Sequence, residues 1–139
     1  MLADALRPLL LRISRQLRRE AHTLGLSPLD AALLQAIFKN EGIGVSELAE
    51  MERTSKPTMS SHVKRLEAGG WLRRLDRSEA DRRRVGLTIT DTGREALQAV
   101  RRRRTDWLAA RLARLSPAAR ADLEAALEAL ASLDAEERA

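Results

Sequence analysis

The sequence predicts a mainly α fold carrying one small β hairpin, and three observations predict it. Apolar residues recur with the helical period in six separate runs. Start signals of the Ser-Pro or Ser-x-Pro kind, at Ser27-Pro28, Ser55-Lys56-Pro57 and Ser116-Pro117, open three of those runs. A single stretch, Arg84-Val85-Gly86-Leu87-Thr88-Ile89, alternates with period two instead. At 139 residues the chain is one domain by length and long enough to bury a core.

Each element has its own signal. Leu6, Leu9, Leu10, Ile13 and Leu17 form one face of a first helix running to about His22, with arginines covering the rest. Gly25 and Pro28 break it. A second helix follows the Ser27 cap through Ala32, Leu33, Leu34, Ala36, Ile37 and Phe38. It is apolar over much of its circumference, so it is expected deep in the core. Val45 to Glu52 makes a short third helix, with Val45, Leu48 and Ala49 facing inward. After a turn of a few residues comes a fourth, from Ser55 to Gly69-Gly70. Met59, Val63 and Leu66 form its buried stripe, while Pro57, Thr58, Ser61, Lys64 and Arg65 point away. Two short helices so joined form a helix-turn-helix.

Trp71 to Leu75 and Arg84 to Ile89 then read as two short strands around a charged loop, a hairpin placed like a wing. Val85, Leu87 and Ile89 share one face. Thr90 is a candidate cap for a long helix to about Leu115, with Leu97, Val100, Leu108, Leu112 and Leu115 on its apolar side. The run Arg101-Arg102-Arg103-Arg104 wraps all round that helix, so most of it reads as solvated or partner-paired surface rather than as one binding stripe. A last helix follows Ser116, with Leu123, Leu127, Leu130 and Leu133 at helical spacing. The expected organisation is a single domain over 1–139. Residues 27–89 form a winged helix-turn-helix lobe, and residues 1–24 and 91–139 a helical base.

Charge points to a polyanion. The net charge is +5, and ten bases face only four acids between Arg53 and Arg84, a local balance of about +6. From Leu115 onward the balance reverses to about −4. With no cysteine there is no disulfide framework, thiolate metal site or thiol redox sensor. With His22 and His62 the only histidines, a zinc site is not expected. No apolar run approaches the ~20 residues of a membrane span. Arg7 and Arg12 interrupt the apolar core a signal peptide would need. The expected location is therefore the cytoplasm. Three aromatic residues are too few for a base-stacking platform. There is no phosphate-binding glycine loop, nucleophile motif or set of paired metal ligands, so no enzyme and no cofactor are expected.

In order and spacing the chain resembles the MarR family of bacterial transcription regulators over essentially its whole length. Three stretches carry the resemblance: VSELA with KPTMSSHVKRLEAGGWL, the run Asp81-Arg82-Arg83-Arg84-Val85 at the wing tip, and Leu87-Thr88-Ile89-Thr90-Asp91-Thr92-Gly93 entering the long helix. Pro57, His62, Lys64, Trp71 and Gly86 depart from the family's usual pattern. His62 stands at a position often aliphatic, and Lys64 at one often acidic.

The resemblance implies a homodimer whose base is built from the first helix and the last two. Each subunit would offer one helix to the major groove and one wing to the minor groove of a pseudo-palindromic double-stranded DNA operator. Pro57, Thr58 and Ser61 would then face bases, and Ser55, Lys56, Lys64 and Arg65 phosphates. Arg83 would enter the minor groove, held by Asp81, with Arg77 and Arg82 on the backbone; the alternative for Asp81 is a simple hairpin cap. A small-molecule effector, of no identity legible here, would act between base and wing on a repressor. The competing reading is a winged-helix adaptor that binds duplex weakly and works through a protein partner. It is distinguished by whether DNA affinity depends on sequence.

Overall fold

The computed structural model describes residues 1–75 and 86–135. The chain divides into two compact units, Met1–Arg104 and Thr105–Ala139.

The first unit opens with α1, Leu2–Arg19. The predicted extension to His22 tightens into a 3-10 helix, Glu20–Leu24, which stops at Gly25 in the left-handed conformation (φ 79). No residue of α1 is buried. Leu9, Leu10, Leu11 and Ile13 stay between 42% and 59% exposed.

Helix α2, Pro28–Lys39, begins as its signal predicts, with Ser27 Oγ accepting from the Asp30 N–H at 3.0 Å. Leu33, Leu34 and Ile37 are fully buried, which sets the helix in the core as expected, though not every apolar residue on it is covered. Ala32 is exposed and Phe38 is 46% exposed. Phe38 instead lines a cavity of about 140 Å³ with Gln35, Arg94, Leu97, Gln98 and Arg101.

Helix α3, Val45–Met51, and helix α4, Lys56–Ala68, follow. Leu48, Ala49, Met59, Val63 and Leu66 join the core beneath α2, with Val45 packed at its edge. Strands β1, Leu72–Arg74, and β2, Leu87–Ile89, pair antiparallel with Leu72 opposite Ile89. Both are shorter than the periodicity suggested, and Arg84 and Val85 lie outside the described residues. The β2 backbone also pairs with the turn before α3: Leu87 N–H donates to Ile43 O at 2.8 Å, and Gly42 N–H to Leu87 O at 2.9 Å. That second pairing explains why Thr88, on the face opposite Leu87 and Ile89, is buried as well. Its hydroxyl donates to Glu41 Oε1 at 2.8 Å.

Thr90 caps α5, Asp91–Leu112, by accepting from Gly93 N–H at 3.0 Å. The helix ends three residues before Leu115. Two members of the arginine run do specific work within the first unit. Arg103 Nε donates to Thr23 Oγ1 at 2.9 Å, and Arg104 Nε to Leu17 O at 3.0 Å. Burial, and after it the charge of Arg18, hold the Arg104 guanidinium below the usual arginine range.

In the second unit Arg111 lies over the Trp107 ring, 3.6 Å from its centroid. Helix α6, Pro117–Ala135, starts on a Ser116 cap, with Ala119 N–H donating to Ser116 Oγ at 3.1 Å. Leu123, Leu127 and Leu133 on it are 45%, 62% and 68% exposed. Among the described residues no helix is long and apolar enough to cross a membrane.

Candidate nucleic-acid interface

Helix α4 is fixed at both ends and along one side. At its start Ser55 Oγ donates to Thr58 Oγ1 at 2.8 Å and accepts from Thr58 N–H at 3.3 Å, with Pro57 in the first turn. The turn before it is tight. Arg53 takes the left-handed conformation at φ 52, which costs a residue with a side chain about 1–2 kcal/mol. Thr54 N–H there donates back to Ala49 O at 3.0 Å. At the far end Gly70 turns at φ 80, and its carbonyl accepts from Thr90 Oγ1 at 2.6 Å. Thr90 N–H donates to Trp71 O at 3.1 Å. The exit of α4 and the entry of α5 are thus tied by one threonine.

Along the inner side Met59, Val63 and Leu66 are 1%, 0% and 0% exposed. The opposite side holds Pro57, Thr58, Ser61, Lys64 and Arg65, with Ser55 and Lys56 at the helix start, and all seven are exposed. The structure brings these seven predicted residues onto one solvent-facing surface. Their hydroxyls make only local bonds, such as Ser61 Oγ to Pro57 O at 3.2 Å. The acid on this helix, Glu67, is engaged by Arg74 at 3.4 Å. Arg77, Arg82, Arg83 and Asp81, predicted for the wing, lie outside the described residues.

His62 is half-buried on the flank of the apolar stripe. Its Nδ1 is shielded from solvent without a hydrogen-bond partner among the described residues. No group of three or more His, Cys, Asp or Glu residues gathers as a metal site among those residues.

Sequence reasoning missed Asp30. It reads as a helix-start acid and nothing more, yet its carboxylate is buried and ion-paired with Arg65 of α4. The signal was a lone carboxylate within an otherwise apolar helix, hidden because the capping motif already accounted for it.

A family model described as "MarR family" matches residues 24–84, from the end of the 3-10 helix to beyond β1. A regulator of Mycobacterium tuberculosis, named as an HTH-type transcriptional regulator, is 34% identical over 135 residues. The match covers 95% of this chain and 92% of that one. Among solved structures, one from Pseudomonas aeruginosa titled as a transcriptional regulator superposes with a TM-score of 0.80. It is 30% identical, with 96% of this chain and 94% of that chain covered. A Mycobacterium tuberculosis MarR family protein in complex with p-aminosalicylic acid superposes at 0.63. It is 26% identical, with 91% and 98% covered.

Proposed function

The chain belongs to the MarR family of DNA-binding transcription regulators, and from that premise we propose that it acts as a sequence-specific, ligand-responsive repressor. It works as a homodimer on a pseudo-palindromic operator in the cytoplasm. The observation that carries this reading is the division of α4: three wholly buried residues on one side, and small hydroxylated and basic residues on the other. A helix so divided offers its outer side to a groove without disturbing its packing. Pro57, Thr58 and Ser61 face base edges. Ser55, Lys56 and Lys64 face phosphates. Arg83 enters the minor groove with Asp81 as its support, and Arg77 and Arg82 contact backbone.

The dimer is supported by apolar side chains that a single chain leaves in water, on α1 and separately on α6. A small-molecule effector is supported by the cavity beside Phe38 and by the relative that holds p-aminosalicylic acid.

The decisive experiment is selection of bound duplexes from a random pool at near-physiological salt. The expected result is an inverted repeat whose half-sites lie about one helical turn apart. Binding that favours no sequence and vanishes as salt rises would overturn the repressor reading and leave the adaptor. On the selected site, Arg83→Ala is expected to weaken binding by roughly 10-fold, about 1.4 kcal/mol, measured by fluorescence anisotropy. Unchanged affinity would remove Arg83 from the interface.

A further inference from the structure

We propose that Asp30 is a positioning residue for the DNA-reading helix, acting through Arg65, and that Arg65 is thereby withheld from the DNA backbone. The inference rests on the DNA-binding reading above and deepens it.

Among the described residues Asp30 is the one charged residue in the buried set. Its side chain is 10% exposed, while that of its partner Arg65 is 51% exposed. The Asp30 N–H is committed to Ser27 Oγ, and the carboxylate stands in the first turn of α2, where the positive end of the helix favours it. Asp30 is therefore a fixed post. Arg65 belongs to the last turn of α4. Ser61 and Pro57 lie one and two turns before it on the same side. Holding Arg65 against α2 sets the rotation of α4 about its own axis, and with it the direction in which Ser61 and Pro57 point.

The exchange of Asp30 for a DNA phosphate is unfavourable for Arg65. Leaving would strand a buried carboxylate without a partner, a state that carries a heavy desolvation penalty. A phosphate that Arg65 does not meet keeps its water and counterions. Lys64, exposed and without such a tie among the described residues, is the base of this pair that meets the backbone.

The test uses the full-length protein, the selected operator and a scrambled duplex of equal length. Affinities are measured across a salt series for wild type, Lys64→Met, Arg65→Met and Asp30→Asn. Each lost phosphate contact flattens the logarithmic salt slope by about 0.9. Lys64→Met is expected to flatten it and to leave the operator-to-scrambled ratio in place. Arg65→Met is expected to keep the slope and to lower that ratio by roughly 10-fold, the equivalent of about one mismatched base pair. Asp30→Asn, nearly isosteric, frees Arg65. Its slope should steepen and its affinity for scrambled duplex rise, while the ratio falls as in Arg65→Met.

A flattened slope in Arg65→Met would overturn the proposal. So would a reduced active fraction with an unchanged ratio, the mark of a purely structural pair. Should Arg65→Met fail to fold, Asp30→Asn decides alone: an unchanged ratio and slope overturns the proposal. A wild-type ratio near one would instead sink the DNA-binding reading, and this inference with it.

Discussion

Ile13→Asp is expected to convert the proposed dimer to a single 15.5 kDa chain and to cost at least about 100-fold in operator affinity. The side chain is 42% exposed on α1, beside Leu9 and Leu10, and no residue of that helix is buried in the first unit. The substitution therefore leaves the core of one chain intact. Covering Leu9, Leu10, Leu11 and Ile13 on two copies would recover about 1 kcal/mol from each half-exposed side chain. That is on the order of 8 kcal/mol before the costs of association. An aspartate in the middle of that face replaces part of this gain with a desolvated charge. On the proposed palindromic operator, losing the dimer also severs two half-sites that would bind as one, which is where the large fall in affinity arises. Sedimentation equilibrium reads the mass and anisotropy the affinity. A variant that remains dimeric would take α1 out of the interface.

Gly93→Ala is expected to destabilise the fold by about 3 kcal/mol and to lower Tm by roughly 10 °C at fixed protein concentration. A Cβ at Gly93 would stand 2.1 Å from Trp71 O and 2.5 Å from Ile89 Cγ1. The first of these is backbone, which no rotamer change relieves. Gly86→Ala meets Gly42 O at 2.8 Å, a milder approach, and should cost less. Thermal unfolding followed by circular dichroism ranks the two. A Gly93→Ala protein that melts within about 2 °C of wild type would mean that α5 shifts freely against β1, contrary to the Thr90 and Trp71 bonds.

Most of the helical order was legible because its signals are local. Ser27, Ser55, Thr90 and Ser116 each accept the backbone bond that their position in the sequence foretells. The buried stripe of α4 follows from its spacing alone, and the outward Pro57, Thr58, Ser61, Lys64 and Arg65 with it. What the sequence hid was set by partners distant in the chain. Thr88 reads as the solvent side of an alternating strand, but Glu41 and the turn at Ile43 cover it. Phe38 reads as core, yet the helical period cannot say which sides of α2 other elements reach. Arg65 reads as one more base on a basic face, and only the fold reveals the carboxylate 35 residues upstream that holds it.

The partition of α4 also bears on descent. Met59, Val63 and Leu66 supply its contribution to folding, whereas Lys56, Pro57, Thr58, Ser61 and Lys64 add almost nothing to the core. Exchanges at those five positions fall among surface substitutions, which usually stay within about 0.5 kcal/mol of neutral stability. On the reading proposed above, in which these positions face the operator, a lineage can walk from one recognition sequence to another by single steps, each intermediate still folded. Paralogues arising by duplication would diverge first on this strip. The same freedom makes the helix a practical cassette for retargeting, provided that Asp30, Arg65 and Thr90 travel with the scaffold.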